Sequence, residues 1–137
     1  MSRPLVWTVV VSLMSLNLAA SDQASIALRG KLTQQNGKAF LDTADHKRVS
    51  LSADELTTKI LLDDRLNNSD FEVLGHFTAA DQFAVDPFEK RPAYVYVNGK
   101  RKVVSYWCDV CYIRTYSPGK CWCCQKYTDL DPQDPEP

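Results

Sequence analysis

The sequence predicts a mainly β domain with one helix, followed by a separate cysteine-rich hairpin module. Three observations lead there. Short β-rich runs punctuated by turn signals lie on both sides of a single helical segment. Two Asn-Gly dipeptides, Asn36-Gly37 and Asn98-Gly99, sit between such runs. All five cysteines of the 137-residue chain fall between Cys108 and Cys124. A formal charge of −1 with 24% charged residues fits an ordinary globular chain. It argues against a basic nucleic-acid tail and against a disordered acidic protein.

The first 20 residues, MSRPLVWTVVVSLMSLNLAA, have the form of an export signal. Arg3 supplies a positive start, Leu5 to Leu18 an apolar run, and Ala19, Ala20 and Ser21 the small residues of a cleavage site. The run is short for a membrane span, which needs about 20 strongly apolar residues. Thr8, Ser12, Ser15 and Asn17 interrupt it further. Residues 1–20 are therefore expected to be removed, leaving a periplasmic or secreted product with no membrane attachment. Cleavage after Ala20 would leave about 117 residues, enough for one core.

The barrel strands follow in order. Residues 25–34 form the first candidate, with Ile26, Leu28 and Leu32 alternating imperfectly. Asn36-Gly37 tolerates positive φ and turns the chain into residues 38–43. Residues 47–51 make a third strand. Ser52 and Glu55 have the spacing of a capping box, and residues 53–66 place Leu56, Ile60 and Leu66 broadly on one helical side. Residues 71–77 and 83–85 are the next strands. The two β-rich runs around Asn98-Gly99, residues 93–107, are the strongest hairpin signal in the chain. The domain is expected over residues 21–107 and the cysteine module over 108–126. Residues 127–137, with three prolines and four acids, read as a disordered tail.

Three strands, one helix, then more strands is the order of a small oligonucleotide/oligosaccharide-binding (OB)-like barrel, with an SH3-like barrel as the alternative.

The module reads YWCDVCYIRTYSPGKCWCCQK. Cys108 and Cys111 form one C-x-x-C, and Cys121 and Cys124 a second, with nine residues between the pairs. Two such knuckles on a hairpin can direct four thiolates at one centre, and zinc takes four in a tetrahedron. The spacer is shorter than the roughly 15–20 residues of common zinc ribbons. Tyr112 stands where rubredoxin-type knuckles carry glycine. Cys123 is the spare thiol and a possible substitute ligand. Zinc is the leading cofactor; copper, favoured by soft thiolates, and iron are alternatives. An oxidising compartment also allows two disulfides with one thiol left over. No C-x-x-C-H for haem attachment is present, and no βαβ pattern for a thioredoxin-type site.

Charge is polarised along the chain. From Lys90 to Lys126 eight basic residues face one acid; from Ala53 to Glu89 nine acids face two basic residues. Cations around the thiols would lower their pKa values. All six tyrosines lie in the last 44 residues. Tyr94, Tyr96, Lys100, Arg101, Lys102 and Arg114 could form an aromatic and basic face for a glycan or other polyanion. Export makes nucleic acid the poorer ligand. The acid pairs Asp54-Glu55 and Asp63-Asp64 read as a solvated face. No nucleophile-base, metalloprotease or phosphate-loop motif appears, so no catalytic constellation is assigned.

The run YWCDVCYIRTYSPGKCWCCQK, with GKLTQQNGKAFLDTADHKRVSLSADE before it, resembles an uncharacterised family of small exported bacterial proteins. The resemblance implies export and a shared cysteine module, and brings no activity, substrate or partner. The sequence thus supports a non-enzymatic exported domain with a structural zinc. A periplasmic thiol-redox or copper-handling protein and a glycan- or polyanion-binding module are the alternatives.

Overall fold

A computed structural model describes residues 24–136, so the expected export signal lies outside the described residues. The strand runs of the sequence become β1 (Ile26–Gln35), β2 (Lys38–Asp42) and β3 (Arg48–Ser52). Then come one helix, α1 (Glu55–Leu61), and the strands β4 (Asp70–Ala79) and β5 (Gln82–Val85). These five strands close a ring in the order β1-β2-β3-β5-β4, sealed by β1 pairing with β4. Every contact in the ring is antiparallel except β3 with β5, where Leu51 lies opposite Phe83. A closed five-stranded barrel with its helix between β3 and β4 is OB-like, and the SH3-like alternative is set aside.

Closure demands that β1 serve two neighbours. Its first half pairs with β4, from Ile26↔Gly75 to Lys31↔Asp70. Its second half pairs with β2, from Lys31↔Asp42 to Gln35↔Lys38. Glycine permits close backbone approach at two contacts of the ring, between β1 and β2 and between β4 and β5. A Cβ on Gly75 would lie 2.0 Å from the Ala84 carbonyl oxygen, and one on Gly30 would lie 2.6 Å from that of Asp42. Leu32, Leu41, Phe71, Val73 and Phe83 fill the barrel and are fully buried. Ile60, Leu61 and Leu66 plug one end.

The helix differs from expectation at both ends. Asp54, not Ser52, is its N-cap. One Asp54 oxygen accepts the Thr57 N–H at 2.8 Å and the other the Phe88 N–H at 2.8 Å. Ser52 is the last residue of β3, and Glu55 is already helical, paired with Lys59 at 3.2 Å. The helix stops at Leu61 rather than Leu66. Asp63 opens a separate 3₁₀ turn over Asp64–Leu66, because its carboxylate accepts the Arg65 N–H and competes with helical hydrogen bonding.

β6 (Ala93–Val97) and β7 (Lys100–Val103) form the hairpin expected at Asn98-Gly99. Both turn residues have positive φ, 51° and 76°. β6 extends the barrel sheet along β4, with Phe71 opposite Val95. Residues 93–107 are not one hairpin, however. β7 ends at Val103, and β8 (Tyr106–Cys108) is the centre of a second sheet. That sheet runs in the order β10-β8-β9, with β9 (Ile113–Thr115) on one side and β10 (Asp129–Leu130) on the other. The seam between the two parts falls at the buried pair Val104-Ser105, three residues before the expected boundary.

The tail is the main correction. Residues 127–136 are ordered. β10 pairs with Tyr106 and Trp107, Thr128 is buried, and Gln133 exchanges both backbone hydrogen bonds with Val103. Prolines and acids suggested disorder because they make no core of their own. Here the acids have cationic partners on the body of the protein: Asp131 meets Arg114 at 2.9 Å and Asp134 meets Lys102.

Candidate metal centre

Cys108 ends β8, and the chain then turns sharply so that the Tyr112 N–H donates to the Cys108 carbonyl at 2.9 Å. Thirteen residues later the same turn recurs, with the Gln125 N–H donating to the Cys121 carbonyl at 2.8 Å. The residue after the second cysteine is left-handed in both, with φ 55° at Tyr112 and 64° at Gln125. This is the conformation glycine takes most easily. The missing glycine at position 112 therefore does not prevent the knuckle; Tyr112 adopts its geometry. A short bridge, Lys120↔Tyr127, closes the second knuckle, and the Thr128 N–H and hydroxyl both reach the Gly119 carbonyl at 3.0 Å.

The two turns face each other. The sulfurs of Cys108, Cys111, Cys121 and Cys124 all lie within 4.8 Å of one another. Cys108 and Cys124 are 3.6 Å apart. A tetrahedron with metal–sulfur bonds of about 2.3 Å has sulfur–sulfur edges of about 3.8 Å, so the four fit one metal ion with small adjustment. Burial repeats with the knuckles: the first cysteine of each pair is buried and the second half-buried. No disulfide joins them, and all five sulfurs are free. Outside the sulfurs, Lys126 Nζ bridges to Asp109 at 3.0 Å and ties the end of one knuckle to the middle of the other.

Cys123 is exposed and lies outside the set of four. Its thiol instead adjoins Cys111 and is the main reason the Cys111 pKa is raised, followed by partial burial and the sulfurs of Cys124 and Cys121. Cys121 moves the other way. The backbone N–H groups of Cys124 and Cys123 point at its sulfur and lower its pKa to about 7. The Lys126 amide favours the Cys124 thiolate, yet burial and the neighbouring sulfurs of Cys108 and Cys121 leave its pKa raised. Peptide N–H groups thus favour the Cys121 and Cys124 thiolates, while neighbouring sulfurs oppose joint ionisation. Crowded sulfurs that resist joint ionisation are what a bound dication relieves.

The aromatic and basic face expected from the sequence is not an open platform. Arg101 pairs with Glu72 and stacks over Tyr94 at 3.4 Å. Arg29 covers Tyr96 at 3.5 Å, and the Tyr96 hydroxyl donates to Glu72. Lys102 and Arg114 hold the tail. Of the six residues, Lys100 alone makes no ion pair or stack among the described residues. Asp63, expected on a solvated face, has a side chain only 6% exposed: it accepts from the Tyr106 hydroxyl at 2.9 Å and from Arg65. Sequence reading missed this triad and the Asp109–Lys126 clasp, since both join residues far apart in the chain.

Compared with protein-family models, with curated proteins and with solved structures, the chain matches none. The closed OB-like barrel and the cysteine cluster are thus established by its own topology and geometry. Among the described residues no helix is long and apolar enough to cross a membrane.

Proposed function

We propose that this is an exported, non-enzymatic domain whose C-terminal module is organised by one structural zinc ion on Cys108, Cys111, Cys121 and Cys124. The observation that carries this reading is the pair of matching knuckles holding four sulfurs within 4.8 Å of one another. Four thiolates complete a tetrahedron and leave no open position for a substrate, which favours a structural role over a catalytic one. The module also needs such a centre. Its large side chains Val110, Tyr112, Trp122 and Tyr127 are exposed, so little apolar surface is buried around the knuckles. A small unit without its own core relies on a metal or a cross-link. Zinc suits a four-thiolate tetrahedron better than copper, which takes fewer thiolates when monovalent, and iron is the other ion compatible with four sulfurs. Export rests on the pattern of residues 1–20 and on the resemblance to small exported bacterial proteins.

The test is elemental analysis of protein purified under reducing, metal-replete conditions. One zinc per chain is expected, with cobalt substitution giving the absorption of a tetrahedral thiolate site. Oxidised cysteines with no metal would overturn the assignment. Amino-terminal sequencing of the cell-envelope fraction, expected to begin at Ser21, tests export separately.

One observation favours a second reading, thiol-redox or copper handling: the exposed Cys123 thiol against Cys111. Under the zinc reading, a thiol-alkylating reagent labels Cys123 at once and the other four only after chelation. Immediate labelling of all five, or monovalent copper displacing zinc at stoichiometric amounts, would favour the second reading.

A further inference from the structure

A cleft of 380 Å³ lies at the seam between the barrel and the second sheet. Lys90, Arg91, Tyr94, Arg114 and Tyr116 line it, with the Arg91 guanidinium lying against the Tyr116 ring. The tail residues from Gln133 to Glu136 close the end. That volume is within the range of sites that hold small organic ligands, which favour boundaries between structural units.

The charges in the cleft are unequal in how they are engaged. Arg114 is held by Asp131, and Lys102 at the rim by Asp134. Lys90 and Arg91 are exposed and make no ion pair among the described residues. Arg91 is also conformationally costly: it is left-handed, with φ 48° and ψ 64°, and its guanidinium lies 3.8 Å from the centre of the Tyr116 ring. A non-glycine residue there costs roughly 1 kcal/mol. The conformation ends the 3₁₀ turn over Phe88–Lys90 as its C-cap, and it directs the guanidinium to the Tyr116 ring. The hydroxyls of Tyr94 and Tyr116 have no hydrogen-bond partner among the described residues. The cleft therefore offers two cations without a counter-charge among the described residues, Lys90 and the Tyr116-stacked Arg91, with tyrosine hydroxyls beside them and a mostly polar lining.

The tail shows what chemistry suits it. The Asp134 carboxylate sits on Lys102 while 82% exposed. Exposed ion pairs contribute little, about 0–1 kcal/mol, and exchange readily. We propose that this cleft is a binding site for an acidic saccharide. The sugar's anionic group would be held by Lys90 and Arg91 and would compete with Asp134 for Lys102. The sugar hydroxyls would meet Tyr94, Tyr116 and Gln133. A neutral apolar molecule would leave both cations unpaired, and a bare anion would use none of the hydroxyl or aromatic surface.

The test is a titration of the full chain, followed by backbone NMR and calorimetry. The probes are a uronic-acid disaccharide, a sulfated disaccharide, the neutral disaccharide of the same linkage, and inorganic sulfate. Saturable shifts at residues 90–94, 114–116 and 133–136 are expected with one or both acidic sugars. The neutral sugar should bind about tenfold more weakly. Lys90→Ala with Arg91→Ala should lower affinity about tenfold while leaving the barrel spectrum unchanged, and Asp134→Asn should raise it several-fold. The proposal is overturned if neither acidic sugar produces saturable shifts, or if the neutral sugar binds equally well. It is also overturned if the double variant keeps full affinity, or if sulfate alone binds as tightly as the disaccharides.

Discussion

Two carboxylates, Asp63 and Glu72, pair with arginines largely away from water, their side chains only 6% and 11% exposed. Asp63 is the clearest case. Burial pushes its carboxyl upward, yet the Arg65 guanidinium, the Arg65 N–H and the Tyr106 hydroxyl outweigh that and hold its pKa below the usual 3.8. Because the folded value is the lower one, ionised Asp63 stabilises the fold above the unfolded-state pKa. That contribution fades as pH falls through about 4 toward the folded value. Asp63→Asn should cost about 2–3 kcal/mol at neutral pH, since it leaves Arg65 without its counter-charge beside the buried Tyr106. Chemical denaturation of both proteins from pH 7 to pH 2.5 checks this: the difference between them should be full at pH 7 and shrink below pH 4. A constant difference would show that packing, not charge, is what the substitution removes. The triad also links separate regions, since Arg65 donates to the Thr128 carbonyl at 3.0 Å and so anchors the tail.

Among the elements, the two knuckles are built alike from unlike sequences. Cys108-Asp-Val-Cys111-Tyr and Cys121-Trp-Cys-Cys124-Gln share the carbonyl-to-amide closure and the left-handed final residue. The spacing of the cysteines sets this geometry, and side chains after the second cysteine merely tolerate it. Tyr112 gains something in return by packing edge-on to Trp107 at 6.0 Å. Gln125 is exposed and gains little, its amide reaching only the Trp122 carbonyl at 3.4 Å. Gln125→Gly should therefore relieve strain and stabilise the module by about 0.5–1 kcal/mol, whereas Tyr112→Gly should be neutral or costly because the Trp107 contact is lost. With the proposed zinc bound, its rate of loss to a chromophoric chelator measures both: it should fall for Gln125→Gly and not for Tyr112→Gly.

At the scale of the whole molecule, the barrel and the module differ in what holds them. The barrel has a contiguous core of aliphatic and aromatic side chains closed by a complete ring of strands. The module has four sulfurs, a three-stranded sheet of very short strands and a tail tied down by Arg65, Lys102 and Arg114. The proposed zinc would contribute about 10–16 kcal/mol of apparent binding energy to the folding of such a unit. Removing it with a strong chelator should thus raise amide hydrogen exchange across residues 106–130 while β1 to β5 stay protected. Uniform loss of protection would mean that the barrel depends on the metal as well. The tail adds a further coupling, because β10 completes the sheet that carries Cys108. Loosening at either end should spread through β8.

How much of this was legible in the residues follows from the range of each interaction. Alternating apolar residues, two Asn-Gly turns and a lone amphipathic segment gave strand and helix positions to within a few residues, and their order matched an OB-like barrel. The cysteine spacing named the four cysteines that the fold brings together. These are local patterns, fixed by backbone dihedrals and by periods of two to four residues. The helix cap was misjudged because Ser52, Asp54 and Glu55 all suit an N-terminus, and the choice fell to Asp54 only when Phe88 arrived to share its carboxylate. The ordering of the tail, the burial of Asp63 and the pairing of Arg101, Lys102 and Arg114 were invisible for the same reason: each needs a partner more than 15 residues away, or a burial that only the closed barrel creates. The sequence by itself determined a small β domain with a helix and a cluster of four cysteines. Only the tertiary structure decided which charges were left free, and so where, at the barrel–module seam, a ligand could bind, because free charge is what remains after every long-range pair has formed.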